Sequence, residues 1–244
     1  MAELNSPLTL GDLQLKNRVI MAPLTRSRAT ADRVPTAIMA EHYAQRASAG
    51  LIISEATVIS EQANGYLNTP GLFTEAQVEG WKQVTQAVHD KGGLIVAQLW
   101  HVGRVSHPDL LDGETPVSAS NVQQAGQVSL LRPKRDYVVP RSLDIAEIKA
   151  IVEQFKQAAI KAKAAGFDGV ELHAANGYLI DQFLQSSTNQ REDEYGGSVE
   201  NRTRFLIEVM DALIEVWGAG RVGVHLAPRG DEHDMGDADP RETF

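Results

Sequence analysis

Five short aliphatic runs alternate along this chain with four stretches of helical periodicity, with no linker, low-complexity tract or tandem repeat between them. The strand-like runs are Arg18–Leu24, Leu51–Val58, Leu94–Trp100, Gly169–Ala175 and Arg221–Ala227. Apolar runs of this length bounded by Pro and Gly read as buried strands. Between them, Pro35 opens a helix that ends before Gly50. Thr74 and Gln77 have the spacing of a capping box, followed by the stripe Val78, Trp81, Val84 and Val88 and a stop at Gly92-Gly93. Asp144 and Glu147 open a third helix, closed by Gly166, and a fourth covers Val199–Trp217. Strands alternating with helices imply a parallel sheet, because only a crossover helix returns the chain to the same end of the sheet.

Two pieces lie outside the alternation. Leu8–Asn17 turns at Gly11-Asp12 and predicts an N-terminal hairpin. Residues 102–143, after the third strand, are too long for an ordinary connection and carry a β-like stretch near Val128–Val139, which suggests a lid over a site within one domain spanning 1–244. A doubly wound sheet and a (β/α)8 TIM barrel both satisfy the alternation. Thr25, Gln98, His173 and His225 fall at or near the carboxyl ends of four different strands, and no Gly-x-Gly-x-x-Gly follows the first strand. That favours a barrel, with its site on the carboxyl rim. Five βα units do not close one.

The most chemical stretch is Val170-Glu171-Leu172-His173-Ala174-Ala175-Asn176-Gly177-Tyr178. One strand face is apolar, and the other carries polar groups into a turn at Asn176-Gly177. A histidine N–H and an asparagine amide can both donate to one substrate oxygen, and a tyrosine hydroxyl can deliver a proton. A core histidine, a turn asparagine and a half-buried tyrosine describe the same residues without function. Thr25 and Gln98 offer groups that read the edge of a flat heteroaromatic ring, and Tyr66 and Trp100 could wall a pocket. Strand-end hydrogen bonding and core packing are their plain alternatives. None of these side chains supplies a hydride, so a reduction here needs a cofactor.

The excess of 32 Asp+Glu over 23 Lys+Arg, a formal charge of −9, disfavours a nucleic-acid or anionic-membrane partner. Zero cysteines exclude thiolate nucleophiles, Cys-held zinc and iron–sulfur clusters. No apolar run has the length of a membrane span, and the N-terminus lacks a leader pattern, as expected of a cytoplasmic enzyme or of any soluble cytoplasmic domain. One rival reading survives composition. His101, His173 and His225 end the third, fourth and fifth strands, with Asp231, His233 and Asp234 nearby, a set that could bind zinc for hydrolysis. Against it, no strand carries a close histidine pair, and an acidic run is commonly a solvated loop.

Five segments in order carry a resemblance over the whole chain. They are Asn17 to Arg26 (NRVIMAPLTR), Gln45 to Thr57 (QRASAGLIISEAT), Gln98 to Arg104 (QLWHVGR), His173 to Tyr178 (HAANGY), and Asn189 to Arg202 with its Tyr195-Gly196-Gly197-Ser198 core. The chain resembles the Old Yellow Enzyme family of FMN-dependent ene-reductases, near the bacterial xenobiotic, nitrate-ester and N-ethylmaleimide reductases. The resemblance implies that Pro23, Thr25, Ala56 and Gln98 contact the isoalloxazine ring. It implies that His173 and Asn176 bind the substrate carbonyl or nitro oxygen, that Tyr178 donates the proton, and that Tyr66 and Trp100 line the substrate pocket. NADPH or NADH would reduce the FMN, whose N5 hydride passes to the β-carbon of an activated alkene.

Two departures qualify it. Family members mostly place an arginine beside the flavin on the fifth strand, in a pattern like Arg-Leu-Ser-Pro; here the segment is His225-Leu226-Ala227-Pro228, so His225 takes that place. A neutral imidazole stabilises a reduced flavin less than a permanent guanidinium. Family barrels also have eight strands and hold the FMN phosphate on the last two strand loops, whereas this chain stops at Phe244. The expectation is a fragment or a truncated record, completed by a second chain or a missing C-terminal segment. An inactive assembly piece is the non-enzyme alternative.

Overall fold

The computed structural model describes residues 3–244. An antiparallel hairpin of β1 (Leu8–Leu10) and β2 (Leu13–Leu15) comes first, as the sequence predicts. Next come β3 (Ile20–Met21), α1 (Ala37–Ala44), β4 (Leu51–Ile53), β5 (Thr57–Val58), α2 (Glu75–His89) and β6 (Ile95–Trp100). Residues 102–143 hold β7 (Val117–Ser118), which pairs in parallel with β8 (Arg141–Ser142). The rest is α3 (Ile145–Ala164), β9 (Val170–Ala174), α4 (Leu179–Leu184), α5 (Val199–Trp217), β10 (Val222–Leu226) and α6 (Pro240–Thr243).

The main sheet has six strands in the order β3-β4-β6-β9-β10, with β5 pairing β6, and every pairing is parallel. Spatial order follows chain order. A doubly wound sheet reverses its order at a switch point, whereas a barrel wall does not, so the fold is a partial TIM-type wall. Among the described residues, β3 and β10 form its two unpaired edges.

The helices cover one face. In α2 the capping box at Thr74 and Gln77 is formed, and Val78, Trp81, Val84 and Val88 are buried. Each such side chain contributes about 1.5–3 kcal/mol on leaving water. The capping box of α3 at Asp144 and Glu147 is formed as well, with Ile148, Ile151, Phe155, Ala159 and Ala162 inward. The other face carries a small apolar cluster at the amino ends of the strands, where Leu13 and Leu15 of the hairpin meet Leu51 and Val96. The hairpin therefore plugs the end of the wall opposite the carboxyl rim, tied there by Asp12 N–H donating to Gly220 O at 2.9 Å.

Four local expectations change. The first strand is two residues long rather than spanning 18–24, and it is not buried: Ile20 is 43% exposed because β3 is an edge. The run 51–58 is two strands broken at Ser54–Ala56, where the hydroxyls of Ser54 and Thr57 both donate to Glu55 O and compete with ladder pairing. The first helix covers Ala37–Ala44 rather than 35–49, its continuation dissolving into turns. Val128–Val139 holds no strand, only an isolated bridge between Gln127 and Asp136 at its edge.

Candidate active site

A parallel sheet delivers all its carboxyl ends to one rim, and the predicted residues emerge there. On β9 and β10, His173 and His225 are register partners with ring centroids 5.2 Å apart. Tyr178 stands edge-on to His173 at 5.0 Å and to Trp100 at 4.9 Å. Tyr66 lies 5.3 Å from the Trp100 ring, and its hydroxyl is 3.0 Å from that of Tyr178. Five rings from four separate segments thus form one wall.

Local chemistry places Tyr178. After β9 the backbone enters the left-handed region at Asn176 (φ 56°) and Gly177 (φ 77°). Asparagine tolerates that conformation and glycine adopts it freely. A Cβ at Gly177 would lie 2.8 Å from Glu232 O, the His233 Cβ and the Met235 Cγ, so a glycine is required on packing grounds as well. Asp181 accepts the Gly177 N–H, and the Gln182 amide donates to Gly177 O and Val102 O. The turn is clamped from below, and Tyr178 leaves it as the residue before α4.

The electrostatics are those of a dry site. Burial, and then the neighbouring His225, holds the His173 imidazole down to about 3, so it is neutral at pH 7. Its Nδ1 is buried without a protein partner. Burial, with Tyr66 beside it, pushes the Tyr178 hydroxyl well above its usual value, so it keeps its proton. The His225 Nδ1 and the Trp100 Nε1 are likewise buried and unpartnered. Such atoms each cost about 1–3 kcal/mol when left dry, which marks places where a ligand would bond.

The remaining candidates flank this wall. Gln98 is buried on β6 and donates its Nε2 to Glu171 Oε1 at 2.8 Å. Ala56 is buried in the break between β4 and β5. Pro23 is half-buried and Thr25 exposed beyond β3, and among the described residues neither is joined to the ring cluster by a hydrogen bond or ring contact. The carboxamide of Asn176 forms no hydrogen bond within the protein among the described residues.

The metal alternative loses its third ligand. His101 is buried and turned out of the cluster, its Nδ1 accepting the Gly103 N–H at 3.1 Å. Among the described residues no three His, Asp or Glu side chains gather as a metal would require.

Three residues join this site in roles the sequence did not assign to them. Tyr137, buried within 102–143, lies close enough to Tyr178 to help hold its proton on. Its only signal was an aromatic side chain directly after the polar Arg132–Asp136 run. His233 packs 5.3 Å from Tyr178 and bonds Asn176 O through Nδ1 at 2.7 Å. Glu171 is the third; its alternation with His173 placed it on the polar face, but its partner on another strand had no sequence signal.

Comparison with known proteins agrees with this geometry. Residues 3–242 match the NADH:flavin oxidoreductase / NADH oxidase family. The flavin oxidoreductase hxnT of Emericella nidulans is 47% identical over 244 residues, covering 98% of this chain and 63% of the relative. A probable flavin mononucleotide-dependent alkene reductase of Leishmania infantum is 46% identical over 241 residues, covering 96% and 66%. This chain therefore spans somewhat under two thirds of the length of these relatives. Among solved structures, an Old Yellow Enzyme homologue from Zymomonas mobilis superposes with a TM-score of 0.97 at 51% identity, covering 100% of this chain and 68% of that one. Morphinone reductase in complex with tetrahydroNAD gives 0.95 at 52% identity, covering 98% and 68%. With its rim of unpartnered histidines on a partial barrel wall and these matches along nearly its whole length, the chain belongs to the NADH:flavin oxidoreductase / NADH oxidase family, that of the Old Yellow Enzyme homologues.

Proposed function

We propose that this chain carries the catalytic face of an FMN-dependent ene-reductase, which uses NADPH or NADH to reduce activated C=C bonds of α,β-unsaturated carbonyl or nitro compounds. Nitrate esters fall within the same acceptor chemistry. One observation carries the reading: a neutral, unpartnered His173 sits edge-on to a Tyr178 that keeps its proton, on one dry wall.

The residues present fit a flavin. Gln98 offers a carboxamide beside the wall, His225 an unpartnered Nδ1, and Ala56 a flush surface, with Pro23 and Thr25 supplying the rim at β3. Bound there, FMN supplies the hydride that none of these side chains can provide. His173 and Asn176 donate to the acceptor oxygen and stabilise the negative charge that builds on it. Tyr178, uncharged and 3.0 Å from the Tyr66 hydroxyl, delivers its proton to the α-carbon. Tyr66 and Trp100 wall the pocket, and the 102–143 segment covers it with Tyr137 facing the two tyrosines. The resemblance supports a cytoplasmic location.

The bare edges of β3 and β10 support a barrel completed by further polypeptide, in the same chain or a second one. Intact mass and sedimentation measured alongside flavin content test this part. A lone monomer of these residues holding stoichiometric FMN would overturn it.

The activity is tested on the flavin-loaded protein with a para-substituted phenol, which mimics an enolate oxygen over the ring. The wild type should show a long-wavelength charge-transfer band. Replacing both His173 and Asn176 by alanine should abolish the band while flavin stays bound. Unchanged phenol affinity in the double variant would refute the assignment.

A further inference from the structure

Glu171 is a half-buried carboxylate on the inner face of the barrel wall. It pairs in register with Gln98 on the neighbouring strand and accepts the Gln98 Nε2–H at 2.8 Å. On its other side Gly223, its partner on β10, leaves room: a Cβ there would come no closer than 3.8 Å to the Glu171 side chain. Below it opens a cavity of about 330 Å³ bounded by Leu13, Ile53 and Val96. Burial raises its pKa, which the Gln98 bond and the nearby His225 partly reverse. Such a group is costly to bury, so its single strong partner is informative.

A carboxamide has two ends, an acceptor oxygen and a donor nitrogen, and either can face a ligand. A carboxylate only accepts, so it claims the nitrogen. Gln98 is held at its backbone too, where its N–H donates to the Ser54 Oγ at 3.1 Å. Among the described residues no protein group donates to the Gln98 Oε1.

Resting on the flavin reading above, we infer that Glu171 is a positioning residue: by taking the Gln98 Nε2 it presents the Gln98 Oε1 as the acceptor for the flavin's one ring N–H, at N3. The residue discriminates through Gln98 and touches no reacting atom. Without the carboxylate, the amide turns over freely and its preference is lost.

The test compares binding of FMN and 3-methyl-FMN, whose N3 carries no hydrogen, to the apoprotein with its barrel completed by the further polypeptide, by fluorescence quenching. Wild type should prefer FMN by about ten-fold or more, the worth of one oriented, largely dry hydrogen bond. Glu171→Gln, an isostere that can accept or donate, should bring the two flavins within about three-fold. Glu171→Asp, whose carboxylate is withdrawn by one methylene, should fall between. Circular dichroism shows which variants are folded, and undiminished discrimination in either folded variant would overturn the inference. A wild type that binds FMN without discriminating would overturn it as well, leaving the flavin reading intact. A wild type that binds neither flavin would instead overturn the function on which it rests.

Discussion

The hydroxyls of Tyr66 and Tyr178 lie 3.0 Å apart, although 111 residues of chain separate the two positions, and their rings meet edge to face. Burial keeps both phenols protonated, so one of the two hydrogens must point elsewhere. If Tyr66 donates to Tyr178, the Tyr178 hydrogen is directed into the pocket.

That arrangement predicts a split between half-reactions. Tyr178→Phe should leave flavin reduction by NADPH or NADH nearly intact and slow enone reduction about 10²-fold, the usual worth of a positioned general acid. Nitrate esters need no carbon protonation and should suffer less. Stopped-flow traces of the two half-reactions decide it, and equal slowing of both would reduce Tyr178 to a wall of the pocket.

Gly177 should be intolerant of any side chain. Its φ is 77° and the space above it is filled by Glu232, His233 and Met235. Gly177→Ala should cost about 1–2 kcal/mol from the left-handed backbone alone, plus whatever is needed to displace the 231–235 segment. Urea unfolding measures the first. Loss of phenol binding at full flavin occupancy would report the second.

Acid should act on the fold through its two deeply buried histidines. His101 and His173 are both held down to about 3 by burial. Between roughly pH 6.5 and their folded values, the unfolded chain takes up protons that the folded one refuses. Stability therefore falls as pH drops through that window, by up to about 1.4 kcal/mol per pH unit for each histidine. Urea midpoints at pH 7.0 and 5.0 should separate in wild type and draw together in His101→Gln. An unchanged separation would show that other groups dominate.

The His225 imidazole is stacked on that of His173. His225→Arg should raise the flavin potential, since a permanent cation favours the reduced, more negative ring. A stabilisation of about 1.4 kcal/mol would appear as about 30 mV in a two-electron couple. An equal or lower potential in the variant would place His225 away from the ring.

What was legible in the sequence was local. The capping boxes at Thr74 and Asp144 lie within four residues, and the apolar stripes of α2 and α3 have a fixed period, so each could be read and is present. The alternation also conveyed a parallel sheet and a polar carboxyl rim. The break at Ser54–Ala56 was not legible, because it depends on hydroxyls bonding Glu55 O and on the Tyr43 hydroxyl, 12 residues away, accepting the Glu55 N–H. Glu171 was visible as a polar residue beside His173, but its meaning needed Gln98, 73 positions distant. His233 reads in the sequence as one neighbour of a possible metal set, and its packing against Tyr178 depends on a contact 55 positions apart. Contacts of high sequence separation decide such roles, and periodicity does not encode them.

The bond from Asp12 N–H to Gly220 O has a consequence in time. The hairpin is synthesised well before the Gly220 carbonyl on which it docks. A Cβ at Gly11 would strike that same carbonyl at 2.2 Å, so the dock is close and admits little slack. Until residue 220 is synthesised, Leu13 and Leu15 have only a partial seat, and the amino end of the wall stays open during translation. Contacts of such separation slow folding, and the exposed intermediate is the species that chaperones would meet.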